Sequence, residues 1–283
     1  MGAQTRAAAT NVLLYASPNY SMTKTAWLNL YGHPAPLCAE VDPLRHSVRV
    51  GAREFTVAEE RWEVPTRGNI YGVALNFRGA LAALGTTTEA APYLAPPRAP
   101  ILYLKPRNTR IGYGAPIPVP ASIKAVAVGA TLGVVLSQST YRIAASDAAE
   151  FIAGYTIVND VTIPHESYYR PALKQKCRDG FCPVGPWIVE RDQIGSADAL
   201  AIRAYVNGKL ALENNTANLI RPIHQLIADI SAFMTLAAGD VLLVGLPENL
   251  PLARVGDRVA VEIEGLGRLE NPLIAEAPAP RHP

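Results

Sequence analysis

From Ala90 to Ser146 the chain contains no aspartate and no glutamate, although the same window carries six basic side chains, Arg98, Lys105, Arg107, Arg110, Lys124 and Arg142. Hard cations such as Mg²⁺ and Ca²⁺ are held by carboxylate oxygens, so this stretch offers them no ligand. Cysteine is scarce as well. Cys38, Cys177 and Cys182 make an odd set, and the gap between the last two is not that of a zinc knuckle. A disulfide framework is excluded, and reduced thiols in a cytoplasmic protein are the expectation. Cys177, between Lys176 and Arg178, is either a small core filler or a thiol of lowered pKa. No apolar run approaches the ~18 residues of a spanning helix. Arg6 followed by NVLLYA imitates a secretory leader, but the run is short and interrupted. Met22 is an equally good start, which would leave the residues before it as a disordered extension.

Charge of one sign is also missing overall. Lys and Arg number 26 against 24 Asp and Glu, a net +2, too balanced for nucleic acid or an anionic membrane as partner. The local excess of the acid-free window suits a small anion better than a polymer. What is abundant is apolar surface: 49% of residues are hydrophobic and 18% charged, enough to fill a sizeable core.

The pattern divides the chain into residues 1–66, an N-terminal extension with a small β-rich region, residues 67–275, a compact β-rich domain, and a disordered tail, 276–283. SVRV and EFTV around Gly51-Ala52 predict a hairpin. Asn69–Leu75 reads as a buried strand, Asn76–Leu84 as a short helix or mobile loop, and Ile101–Lys105 and Val126–Leu136 as strands. Ser146 followed by Asp147 predicts an N-capped helix over Asp147–Ala153. Asn207-Gly208 between alternating runs predicts a type I′ hairpin, AIRAYV against KLALE. Ile223, Leu226, Ile227 and Ile230 fall at helical spacing, so Pro222–Ala232 should be an amphipathic helix. AGDVLLVG and VGDRVAVEIEG are each a Gly-Asp turn followed by a strand. Many strands and few helices predict an α+β, sheet-dominated fold.

The run NDVTIPHESYYRPALKQKCRDGFCPVGP is the densest polar stretch and a candidate wall of an active site. Asp160 is either a structural acceptor, a partner for Lys176, or a ligand. Lys176 and Arg178 read as a solvated charged loop or as anion binders. Arg170, flanked by Tyr169, can grip a carboxylate with two parallel hydrogen bonds or serve structurally. Lys105 and Arg107 follow a strand end, a position that faces a site or forms a basic surface loop. His165-Glu166 is the one His/acid neighbour pair near this wall, a proton shuttle or a surface pair.

IYGVALNF, ILYLKPRNT, IAGYTIVND, KCRDGFCPVGPW, VNGK, FMTLAAGDVLLVG and VGDRVAVEIEGLGRLENP, in this order between Asn69 and Pro272, resemble the fumarylacetoacetate hydrolase family. Within it, VGATLGVVL, SYYRPALKQKCRDGFCP and LENP are similar to the isomerase/decarboxylase branch of 4-hydroxyphenylacetate (homoprotocatechuate) breakdown, at the first of its two fused copies of the fold. The resemblance implies a fumarylacetoacetase-like mixed β-roll or sandwich with a few short helices. It also implies a dicarboxylate or 2-oxo acid substrate, a homodimer or a heteromer with a glutamate-bearing paralogue, and a divalent cation such as Mg²⁺ acting as Lewis acid.

Carried over residue by residue, the family roles survive in part. The aspartate ligand matches Asp160 and the substrate-side lysine matches Lys176. The two glutamate ligands fall on Gly129 and Thr131, the lid histidine and glutamate on Ala80 and Ala83, and the threonine of a Gly-Thr-Pro motif on Leu246. The resemblance therefore implies a catalytic role for Lys176, while the residues themselves offer His165 and Glu166 as a replacement proton shuttle and Lys105, Arg107, Tyr169 and Arg170 as substrate binders. Asp160 remains as a remnant metal ligand, with no cofactor expected in this chain.

Overall fold

A computed structural model describes residues 23–165 and 167–278. Expectations that fall on residues 1–22, on Glu166 and on residues 279–283 lie outside the described residues. Three apolar segments form the centre of a large sheet: Ala130–Leu136, Ile152–Asn159 and Cys182–Glu190. They pair antiparallel, with Ala130 opposite Asn159 and Ile157 opposite Gly185. Both faces of these strands are buried, which is why they read as continuous apolar runs rather than as alternating ones.

The sheet grows outward on both sides. Next to Cys182–Glu190 comes Lys24–Leu28, then a meander of Leu37–Asp42, Ser47–Val50 and Arg53–Thr56. On the other side Val241–Leu243 pairs with Ala130–Leu136, Ile70–Ala74 runs parallel to it, and Ile101–Lys105 closes the edge. The sheet is thus continuous across the boundary drawn at residue 66, because Ala26 pairs with Val189. The short strand Arg110–Ile111 adds on parallel to Cys182 and Pro183.

A second sheet, of Lys209–Asn215, Ala201–Val206, Arg258–Ile263, Gly267–Ala275 and Ile117–Val119, contributes to the same core. Leu132, Val134, Tyr155, Ile157, Trp187 and Val189 from the first sheet join Ile202, Ala204, Val259, Val261 and Leu269 from the second in one apolar cluster. The hairpin turns at Asn207 and Gly208, whose φ angles of 50° and 76° meet the positive-φ demand of a type I′ turn. The predicted amphipathic helix is Ile223–Ser231 with Pro222 at its N-cap, and it buries Ile223, Leu226, Ile227 and Ile230. The molecule is a sheet-dominated α+β fold, and no helix among the described residues is long and apolar enough to cross a membrane.

Two expectations are corrected. The helix foreseen over Asp147–Ala153 is only a 3₁₀ turn, Ala148–Phe151, and Ile152 already begins a strand. Ser146 Oγ bonds the Asp147 carboxylate instead of capping backbone, and the strand's place between two partners outweighs the local helix signal. The strand foreseen over Val126–Leu136 breaks at Val128 and Gly129. Val126 and Ala127 leave to pair with Leu252 and Ala253, while Gly129 accepts the Asp160 amide at 2.8 Å and donates to Asn159 Oδ1 at 2.9 Å. The tail begins in order, since the Glu276 amide bonds the Val119 carbonyl oxygen.

Candidate functional site

Side chains two apart on a strand share a face, so Tyr103 and Lys105 emerge together from Ile101–Lys105. Gly72 lies opposite Tyr103 on the neighbouring strand, and a Cβ there would come within 2.1 Å of the tyrosine ring. The missing side chain lets the ring lie over the backbone, with its hydroxyl donating to Asp160 Oδ2. Asp160 follows the strand Ile152–Asn159, and Lys176 ends the short helix Leu173–Lys176.

These elements converge on a closed ion cluster. Lys105 Nζ lies 2.7 Å from Asp160 Oδ1, and both side chains are fully buried. The same ammonium donates to the carbonyls of Val161, Lys176 and Phe181 at 2.9, 2.8 and 2.8 Å. Lys176 Nζ donates to Asp160 Oδ2 and to Thr162 Oγ1, each at 2.8 Å, and sits 4.4 Å from the Tyr103 ring centre. Burial alone would push the Asp160 carboxyl up, but Lys105 and then Lys176 overcome it and hold the group at about 2. Burial pushes Lys176 down, against the pull of Asp160, and drives the Tyr103 hydroxyl well above its usual range. Charge is therefore separated and paired in a dry place, where it is costly unless satisfied.

A cavity of about 290 Å³ opens beside the cluster. Lys176, Tyr103, Thr162, His165, Tyr168 and Glu248 line it, and Ala80, Ala83 and Leu246 stand at its wall. Ala80 and Ala83 thus face the cavity and carry no proton-moving group. His165 is half-buried, its Nδ1 3.0 Å from the Ser167 carbonyl and its ring against Tyr168, and burial lowers its pKa toward the neutral imidazole. Glu248 Oε2 is buried with no hydrogen-bond partner among the described residues, while Oε1 accepts a long bond from Asn214 at 3.4 Å. Gly79 makes room for this carboxylate, because a Cβ there would fall 2.1 Å from its Cδ.

The other candidates are distributed differently. Lys105 is enclosed behind Asp160 and is not among the residues lining the cavity. Arg107 lines a separate groove. Tyr169 is exposed and packs edge-on against Tyr93, and Arg170 is exposed outside the cavity. Burial raises the Cys177 thiol instead of lowering it, which corrects the reactive-thiol reading, and Cys182, fully buried, is pushed up to about 12. Sequence reasoning missed Tyr103, Thr162, Tyr168 and Glu248. Tyr103 had a signal, its two-residue offset from Lys105, and Glu248 had one in its place directly after Gly245-Leu246-Pro247.

A divalent cation does not fit the donors present. Among the described residues no three His, Cys, Asp or Glu side chains converge to hold a metal. Both Asp160 oxygens already face ammonium groups, and Thr131 Oγ1 donates to the Gly245 carbonyl at 2.6 Å. The space in front of Gly129 is filled by backbone. A Cβ on Gly129 would lie 2.2 Å from the Asp160 carbonyl oxygen, so no longer side chain can start there without moving the chain.

Known proteins share both this sequence pattern and this fold. The family model described as "Fumarylacetoacetate (FAA) hydrolase C-terminal" matches residues 69–274. The 4-hydroxyphenylacetate degradation bifunctional isomerase/decarboxylase of Escherichia coli is 44% identical over 210 residues, 74% of this chain and 48% of that protein. The chain therefore spans about half the length of this relative and of its counterpart from Salmonella dublin. Two solved structures overlay on it. A 5-carboxymethyl-2-hydroxymuconate delta-isomerase from Mycobacterium smegmatis has TM-score 0.69 and 28% identity, covering 91% of this chain and 100% of that one. A 2-hydroxyhepta-2,4-diene-1,7-dioate isomerase from Mycobacterium marinum has TM-score 0.70 and 26% identity, with the same two coverages.

Proposed function

The chain belongs to the fumarylacetoacetate hydrolase family, and from that premise we propose that it is an isomerase/decarboxylase-type subunit of 4-hydroxyphenylacetate (homoprotocatechuate) breakdown whose own divalent-cation site has been lost. Its substrates would be small di- and tricarboxylates, a 5-carboxymethyl-2-oxo-hexenedioate for decarboxylation and 2-hydroxyhepta-2,4-diene-1,7-dioate for isomerisation, in the cytoplasm. It would correspond to one of two copies of the fold, acting as a homodimer or beside a glutamate-bearing paralogue. The match to about half of the E. coli relative supports the two-copy arrangement.

The observation that carries the lost-site reading is the Lys105–Asp160–Lys176 cluster. Two ammonium groups occupy the carboxylate that a cation would need, and Gly129 leaves no room for a second ligand. Metal-assisted decarboxylation would then depend on the paralogue.

A second reading, metal-free isomerisation within this chain, is favoured by the unpartnered Glu248 carboxylate oxygen in the same cavity as Lys176 and His165. The reaction is redox-neutral. The 2-hydroxyl proton of the dienol leaves to a base, the C2–O bond becomes a carbonyl, the 3,4-bond becomes double, and C5 gains a proton. Lys176 would hold the oxygen whose charge develops, and Glu248 or neutral His165 would carry the proton.

One experiment separates these readings. The purified chain is given each substrate in EDTA and in Mg²⁺, with and without the paralogue, alongside Glu248→Gln and His165→Gln. The expected result is no Mg²⁺-stimulated CO₂ release by the chain alone, recovery with the paralogue, and EDTA-insensitive isomerisation reduced about 100-fold in at least one of the two variants. Full Mg²⁺-dependent decarboxylation without a partner overturns the lost site. Unchanged isomerisation in Glu248→Gln and equally in His165→Gln overturns the metal-free reading.

A further inference from the structure

A second concave site, sharing no lining residue with the cavity, lies where the segments 63–67 and 107–115 meet. It measures about 630 Å³, the volume of a small-molecule site, and is lined by Arg67, Arg107 and Arg110 together with Asn29, Tyr31 and Thr66. Glu63 is the one acidic residue on its wall, and among the described residues no ion pair joins it to any of the three arginines. A fourth guanidinium, that of Arg61, sits 4.5 Å above the Tyr31 ring.

The scaffold beneath is built tightly. Gly112 presses on the chain at Trp62, since a Cβ there would come 2.4 Å from the Trp62 carbonyl oxygen. Asn271 Nδ2 donates to the carbonyls of Gly112 and Ala115 at 2.9 and 2.8 Å, and Asn29 Nδ2 to that of Val64 at 2.8 Å. The backbone of Arg110 is fixed in the sheet opposite Cys182. Its side chain is only half satisfied: Nη1 reaches the Arg67 carbonyl at 3.4 Å, and Nε is buried with no partner among the described residues. Burial lowers the pKa of this guanidinium, as expected for a cation stripped of water without an anion in return. A buried donor without an acceptor is expensive to leave unmade. A planar guanidinium fork matches carboxylate and phosphate oxygens two at a time.

We propose that this groove is a second binding site, for a small polyanion carrying carboxylate or phosphate groups, with Arg110 as the central contact and Arg67 and Arg107 closing around it. The site rests on its own residues and stands whether or not the chain turns over a substrate.

The test is calorimetric titration of the whole chain with citrate and, separately, with inorganic pyrophosphate, at ionic strength matched by NaCl. Saturable binding of at least one anion is expected, weakened about tenfold or more in Arg110→Gln and in Arg107→Gln and unchanged in Lys176→Ala. The stronger of the two titrations tells whether the natural ligand is a carboxylate or a phosphate. Arg107 is exposed, so its variant keeps the test valid if Arg110→Gln unfolds. No saturable heat beyond the NaCl control overturns the proposal. So does binding unaffected by both arginine variants, or binding abolished by Lys176→Ala, which would return the anion to the first cavity.

Discussion

Tyr103 and Lys105 turn inward from the strand Ile101–Lys105 to a carboxylate that accepts the tyrosine's hydrogen bond and balances the ammonium's charge. Arg107 and Arg110, a few residues on, stand around an open groove and form no ion pair among the described residues. Both sets come from the same acid-free stretch, so composition alone does not separate them. The difference is burial. Lys105 is fully enclosed, and an enclosed ammonium is tolerated only where Asp160 and three carbonyls surround it. Arg107 remains in water and needs no partner. Arg110 lies between these limits, and that intermediate state makes it informative.

The largest effect should follow from removing the hub of the closed cluster. Asp160→Ala leaves Lys105 and Lys176 buried beside each other with no countercharge, which costs about 3–5 kcal/mol. Urea unfolding of the variant measures it. A loss below about 1 kcal/mol would show that water reaches the cluster and would erase the contrast with the groove.

Acid should act on the same hub less strongly. The Asp160 carboxyl is held at about 2 in the folded chain against an ordinary value of 3.8. A depressed folded value means that the stability it contributes is complete well above pH 4 and is lost as pH falls through 4 toward 2. The contribution is on the order of 2 kcal/mol, because a tenfold difference in proton affinity between folded and unfolded chain corresponds to about 1.4 kcal/mol. Unfolding free energies measured between pH 5 and pH 2 should show this loss in the parent and a shallower one in Asp160→Asn. Equal slopes would mean that other carboxylates dominate.

How much of this is legible in the sequence depends on whether the signal is local. The Asn207-Gly208 turn, the helix stripe of Ile223, Leu226, Ile227 and Ile230, and the alternation around Gly51 are written in neighbouring residues, and each forms as expected. The turn at Ala148–Phe151 reads wrongly as a helix because its fate is set by distant strands, Ala130–Leu136 claiming Ile152 and Cys182–Glu190 claiming Gly154. In the site, the pairing of Asp160 with Lys176 is one of several readings the polar run allows, and likeness to a family is what singles the two residues out. The partner of Lys105 lies beyond any spacing rule, brought to it by the edge strand crossing the sheet. Gly129 draws notice in the sequence only because likeness to the family leads one to expect a ligand there. That it is also a point of backbone contact with Asp160 requires the fold, and so does the entry into the cavity of Glu248, which follows Gly245-Leu246-Pro247 directly.

The smallest effect is expected at the groove, and it bears most directly on the comparison. Arg110→Gln removes a guanidinium whose Nε has no partner and whose bond to the Arg67 carbonyl is long, so little favourable interaction is lost and some desolvation is relieved. Stability should stay within about 0.5 kcal/mol of the parent, or rise slightly. Thermal unfolding with and without pyrophosphate reads this directly: the free proteins should melt alike, and only the parent should gain from the anion. A loss of more than about 2 kcal/mol in the absence of any anion would place Arg110 with Lys105, as a charge the fold itself requires. A side chain kept for a ligand has to be dispensable to the empty fold, and Arg110 meets that condition only if its removal is silent until the anion is added.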